Sequence, residues 1–278
     1  MTRHRPLARI AAWAVAGTVS LLFLYPYLWM ALGSMRSTRA ILSAPLRPWP
    51  EQWTLDAYIR LHEVAGVTLW RAVANSLGIT LASTALAVGI TAMGAYALCR
   101  RPGLLAFRFL RGGFLLTMMY PYKLLVIPVY IVMYRLHLLG GYTGIVLFLS
   151  LGPVQFFLFE QFFRALPAEV IEAATIDGAQ EWDILWRVVM PMARPVVATV
   201  SIITFLLNWA QWFPVLVVST TPDTYTLPVA LLNLNGELGT DFQGIMALSV
   251  ITTLPPAILF LIAQRRVIGG MTEGTVKG

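Results

Sequence analysis

The side chains that could carry covalent or acid–base chemistry are few and poorly placed for it. His4, His62 and His137 share no metal-ligand or relay spacing, so neither a metal centre nor histidine catalysis is expected. Cys99 is the only cysteine, which excludes an internal disulfide and a cysteine cluster, and beside Arg100 it reads as a small apolar residue. Glu169, Glu172, Asp177, Glu181 and Asp183 form the one local group of carboxylates, without the pairing a transferase would need. Neither lysine follows a glycine, so there is no GxxxxGK[ST] phosphate loop. Recognition chemistry remains. Tyr120, Tyr122, Lys123, Gln155, Asn208, Trp209, Gln211 and Trp212 set amides, aromatic faces and one cation within apolar sequence, a combination that suits a polar solute such as a sugar.

The elements that must position these groups are membrane helices. Of 278 residues, 58% are apolar and 12% charged, about half the charge that a soluble surface carries. Apolar runs at about 10–32, 75–98, 110–133, 143–163, 194–218 and 244–263 are each long enough to cross a bilayer. The expected fold is therefore an all-α integral membrane protein with six transmembrane helices in one domain, 1–278. The first run is longer than the apolar core of a signal peptide and is read as an uncleaved span. Prolines 121, 128, 153, 214, 255 and 256 predict kinks around a cavity.

The net charge of +7 does not point to nucleic acid, because no Lys/Arg run exceeds two residues and the basic residues punctuate the spans. With the N-terminus inside, 13 cationic residues fall on the inner segments and six on the outer ones, which predicts that both termini are cytoplasmic. The outer loops are then 33–74, 134–142 and 219–243. A secondary transporter would need intramembrane ionisable groups, for which Lys123 and Glu160 are the candidates. Lys123 could meet an anionic solute, or it could satisfy carbonyls freed by Pro121 and Pro128.

The inner segment 164–193 carries the most specific pattern. Pro167 suits a helix start, Gly178 a left-handed cap, and Pro191 the close of a second amphipathic stretch. Two short helices joined at a glycine follow, with Ala173 and Ala174 as a small-residue face for another protein.

Glu172-Ala173-Ala174, Gly178 six residues after Glu172, Val188, then Met190-Pro191 resembles the EAA loop of ABC importer permeases, EAA-x3-G-x9-I-x-L-P. Val188 and Met190 stand where the family usually has Ile and Leu. Ser34-Met35-Arg36, Asn75-Ser76, Leu138-Leu139-Gly140-Gly141-Tyr142, Thr226-Leu227-Pro228-Val229 and the tail from Gly269 look like the carbohydrate-uptake subgroup, similar to the smaller membrane subunit of maltose transporters. The resemblance implies a type I importer permease (MetI-like) fold in the plasma membrane of a bacterium or archaeon. It implies that Glu172, Ala173, Ala174, Asp177, Gly178, Val188, Met190 and Pro191 dock on an ATPase dimer. A second homologous permease and an extracytoplasmic solute-binding protein are further implied partners, and ATP and Mg would sit on the ATPase, with no cofactor in this chain. The tail 269–278 would reach toward the ATPase. Asn233, Asn235, Gly236 and Glu237, in the 219–243 loop, would contact the binding protein.

Overall fold

Apolar runs set where the helices lie, and proline sets where they break. The structure, a computed structural model, describes residues 5–119, 122–237 and 241–273; side chains at 5–8, 122–123, 235–237 and 265–273 fall outside the description. The chain opens with α1 (Arg5–Gly33), then α2 (Thr38–Ser43) and α3 (Asp56–Arg60). A hairpin of β1 (Glu63–Val64) and β2 (Val67–Thr68) turns on Ala65 and Gly66, both at positive φ, as a two-residue hairpin requires. The expected outer loop 33–74 is thus largely folded, and α4 (Leu69–Arg100) starts six residues earlier than the apolar run.

Next come α5 (Leu105–Met119), α6 (Tyr122–Arg135), α7 (Tyr142–Leu149), α8 (Pro153–Arg164) and α9 (Ala168–Ile176). One helical run, Glu181–Met192, begins as α10 (Glu181–Asp183), passes through a π-helical turn at Ile184–Val189 and ends as α11 (Met190–Met192). After it lie α12 (Arg194–Trp209), α13 (Phe213–Val218), α14 (Leu227–Glu237) and α15 (Phe242–Glu273).

Among the described residues, three helices can cross a bilayer unaided: Arg9–Gly33 of α1, all of α4, and Phe242–Gln264 of α15. Two bent pairs could each form one further crossing: α7 with α8 at 47°, and the Glu181–Met192 run with α12 at 78°. The expected third span, 110–133, is divided between α5 and α6, and residues 120 and 121 between them lie outside the described residues. Elsewhere proline explains the breaks. Pro153, Pro195 and Pro214 open α8, α12 and α13, where a missing N–H costs nothing, so the runs 143–163 and 194–218 are each interrupted. Pro191 does not close its stretch as expected. It lies inside the helical run just after the π turn, whose widened backbone accommodates a ring that would crowd an α-helical carbonyl, and the run stops at Ala193.

The chain divides into two compact units, Met1–Trp70 with Ala230–Pro255, and Arg71–Val229 with Pro256–Gly278. In the first, the end of α1 is tied by Ser34 to Tyr58 at 2.8 Å and by the Ser34 carbonyl to Gln243 at 3.3 Å. Asp241 accepts from Thr38 Oγ1 at 2.8 Å and from the Gly244 N–H at 3.2 Å, with Arg60 at 3.4 Å. Burial raises the Asp241 pKa, but the Gly244 N–H, Thr38 and Arg60 together hold the carboxyl below its usual range.

The second unit is built on α4. Its buried face carries Ala72, Ser76, Ile79, Ser83, Ala87, Thr91 and Ala95 at helical spacing, small side chains that admit close neighbours. Its lower half packs with Phe156, Phe159 and Phe163 of α8 and with Ile184, Leu185 and Val189 of the π turn. The upper cluster joins Ile79 to Ile145, Leu149, Val215, Val218 and Val229.

Candidate coupling and translocation site

The segment from Pro167 to Pro191 is two helices around one glycine. Pro167 caps α9 with φ −59°, close to its ring-fixed value. At the other end the Gly178 N–H reaches the Thr175 carbonyl at 3.1 Å and the Ala179 N–H reaches that of Ala174 at 3.0 Å. These two bonds define a Schellman cap, which needs a left-handed residue, and Gly178 has φ +82°. A Cβ there would meet nothing within 4 Å, so the demand for glycine comes from the backbone and not from crowding.

The two arms face different surroundings. On α9, Ile171 and Ala174 pack against the core, whereas Glu172, Ala173 and Asp177 are exposed and Ile176 is 85% exposed. In the second arm Ile184, Leu185 and Val189 are buried, Val188, Met190 and Pro191 are half-buried, and Trp182 stays 62% exposed with its ring 5.5 Å from Trp186. The Ala173–Ala174 pair is therefore divided between an outward and an inward residue.

Glu181 fixes the second arm to α4. Its carboxylate accepts from Tyr96 Oη at 2.8 Å and from Arg100 through Nη2 at 2.8 Å and Nε at 3.1 Å. A cleft of about 300 Å³ opens beside this contact, lined by Tyr96, Arg100, Arg164, Ile171 and Glu172 among others. Nearby, Glu160 is buried on α8 and ion-paired with Arg164 at 2.7 Å and Arg111 at 3.0 Å. Its charge is matched, which removes it as a free group for ion coupling.

Further along the same helices lies a second, largely apolar cleft of about 390 Å³. It brings together Gln155, Asn208 and Gln211, alongside Phe114, Thr117 and Phe148. Trp209 and Trp212 do not line it: Trp209 is buried with its ring stacked 5.7 Å from Phe205, and Trp212 stands edge-on to Phe213. Tyr120 and the side chains of Tyr122 and Lys123 lie outside the described residues. Asn208 also donates to Ser83 Oγ on α4 at 3.0 Å, and Ser150 reaches the Ser83 carbonyl at 3.4 Å.

Within the expected outer loop 219–243, the described residues include a 3-10 turn at Pro222–Thr224 followed by α14. Asn233 is half-buried on that helix, and the side chains of Asn235, Gly236 and Glu237 lie outside the described residues. Asn75 holds the root of the segment, donating to the carbonyls of Asp223 at 2.8 Å and Tyr225 at 3.0 Å and accepting from Tyr142 Oη at 2.9 Å. Ser76 Oγ accepts the Leu227 N–H at 2.7 Å, and Arg71 pairs with Asp223 at 2.9 Å.

Sequence reading did not find Tyr96, Arg100, Ser83, Tyr142 or the Glu160 pairs as working residues. The signal for Ser83 was the hydroxyl stripe Ser76, Thr80, Ser83, Thr91 in an apolar run. The Glu181 contact had none, because its partners are 81 and 85 residues away.

Residues 85–272 match the family model described as the binding-protein-dependent transport system inner membrane component. The chain is 31% identical to the arabinooligosaccharides transport system permease protein AraQ of Halalkalibacterium halodurans, over 94% of this chain and 93% of the relative. It is 32% identical to the trehalose transport system permease protein SugB of Mycobacterium tuberculosis, over 97% and 98%. Identity to the sulfoquinovosyl glycerol transport system permease protein SmoH of Agrobacterium fabrum is 32%, over 92% and 89%. Among solved structures, a chain of a bacterial ABC transporter involved in the import of the acidic polysaccharide alginate superposes with a TM-score of 0.78 over 95% of this chain and 98% of that one, at 24% identity.

Proposed function

Because the chain belongs to the inner membrane components of binding-protein-dependent transport systems, we propose that it is a sugar-importing permease driven through residues 167–191 by a separate ATPase. The arabinooligosaccharide, trehalose and sulfoquinovosyl glycerol permeases it is similar to support a mono- or oligosaccharide, or a glycoside, as cargo.

The observation that carries the coupling role is the division of the segment at Gly178. One arm offers Glu172, Ala173, Ile176 and Asp177 to solvent, and the other is plugged into the core by Ile184, Leu185 and Val189. A partner seated on the first arm would move the second as a unit, since a Schellman turn with two hydrogen bonds resists flexing. From there two rods lead to the second cleft. Tyr96 and Ser83 on α4 are 13 residues apart, roughly 20 Å of helix, and α12 carries Asn208 near its far end. Ser83 and Asn208 tie the rods together at the cleft. Gln155, Asn208 and Gln211 would then meet sugar hydroxyls, while Phe114 and Phe148 offer apolar faces.

On this reading the protein works as one permease domain with six crossings and both termini cytoplasmic, in a bacterial or archaeal plasma membrane. It would be paired with a second permease, two ATPase subunits holding ATP and Mg, and an extracytoplasmic binding protein that meets α14. ATP-dependent uptake of labelled neutral and anionic sugars by vesicles holding the co-expressed transporter tests the cargo. Saturable uptake of at least one sugar supports the reading, and uptake of none with an intact complex contradicts it.

A further inference from the structure

We propose that residues 42–53 form a lipid anchor that lies in the headgroup layer at the C-terminal end of α1. The segment's depth follows from the helix it folds against. Starting from Arg9, about 30 Å of hydrocarbon is crossed in about 20 residues, which brings the opposite boundary to the level of Trp29. Trp29 Nε1 donates to the Pro45 carbonyl at 3.1 Å, so the segment turns back to that boundary and does not rise away from it.

The rest of the segment is held near the same level. Arg36, buried, donates to the carbonyls of Ala40, Ala44 and Arg47, and the Thr54 N–H reaches the Met35 carbonyl at 3.1 Å. Met35 and Arg36, which hold these contacts, follow Trp29 by six and seven residues, so they stand about 10 Å beyond it at most, comparable to the depth over which interfacial segments insert. What this rigid collar exposes is what that layer accepts. Leu46 is 88% exposed, and Leu42, Trp49 and Trp53 are each more than half exposed, with the two indoles packed edge to face at 5.9 Å. Indoles favour the interface because it takes both the ring and its N–H, and Arg39 and the Arg47–Glu51 pair supply charges beside them.

The single cysteine makes depth measurable. A nitroxide at Leu46→Cys in a Cys99→Ala background, within the complete transporter in liposomes and with cysteine-free partner subunits, reports collision with oxygen and with a water-soluble nickel chelate. Greater access to oxygen than to nickel, as for a label near the phosphates, is the expected result. Free access to nickel would overturn the proposal in favour of a water-facing surface. Protection from both reagents would assign the surface to the second permease, and protection that appears only with the binding protein present would assign it to that protein; both overturn the anchor. Leu42→Cys gives the same readout should the first label disturb assembly.

Discussion

Arg100, the last residue of α4, grips the carboxylate of Glu181 through both of its oxygens, and Tyr96 donates to the same group one turn earlier. This contact joins the coupling segment to the helix that carries Ser83, so cutting it should loosen transmission more than folding. Both partners are partly exposed, and a pair of that kind is worth at most about 1 kcal/mol. Glu181→Ala is expected to lower uptake severalfold while pull-down of the ATPase stays near wild type. Equal loss of both would show that Glu181 merely supports assembly.

Gly178 is constrained by φ and not by its neighbours, which gives an ordered series. A left-handed conformation costs an ordinary L-residue roughly 1–2 kcal/mol, and asparagine less. Uptake should fall in the order Gly178, Asn, Ala, Val. An order following side-chain volume alone, with Asn more damaging than Ala, would contradict the turn as the cause.

At the second cleft, Gln211→Leu should raise the sugar concentration needed for half-maximal uptake, since it removes an amide from the lining without touching the Asn208–Ser83 tie. Asn208→Ala should raise it too and in addition lower thermal stability by about 0.6 kcal/mol, the usual value for one interhelical hydrogen bond in a membrane protein. Thermal unfolding and uptake kinetics separate the two effects.

Asn75→Leu leaves the Tyr225 carbonyl without its Asn75 donor and the Asp223 carbonyl with only the longer Tyr142 contact at 3.3 Å, which loosens the root of α14. Hydrolysis stimulated by the binding protein should drop, whereas unstimulated hydrolysis should persist. Loss of neither would separate α14 from binding-protein contact.

The Asp241 carboxyl titrates below its unfolded value of about 3.9, so its contribution to stability is complete above that pH and disappears as the pH falls through the lower folded value. Asp241→Asn should flatten this acid loss. An unchanged acid profile would show that the Thr38, Arg60 and Gly244 contacts contribute nothing.

Much of this was legible because it is periodic or local. The EAA spacing and the Gly178 cap are set within twenty residues, and the apolar runs 10–32, 75–98 and 244–263 mark the three unbroken membrane helices to within six residues. Long-range closure was not legible. Nothing local says that Glu181 meets Tyr96 and Arg100, or that Asn75 holds carbonyls about 150 residues away. Trp209 reads as a path residue because an aromatic face suits a sugar, but successive helical residues point about 100° apart, and its ring stacks on Phe205 while Asn208 lines the cleft. The 219–243 segment reads as an outer loop because it lies between the apolar runs 194–218 and 244–263, yet within it Leu227, Val229, Ala230 and Leu234 bury a helical face.

The central claim is that α9 would present its outer face to an ATPase, with Ile176, the exposed apolar residue of that face, placed to meet it. In membranes containing the whole transporter, Ile176→Cys with Cys99→Ala should give a cross-linked product with the ATPase subunit using a short thiol-to-amine reagent, and the yield should change when ATP is added. No product from Ile176→Cys in a transporter that still assembles and imports would contradict the account.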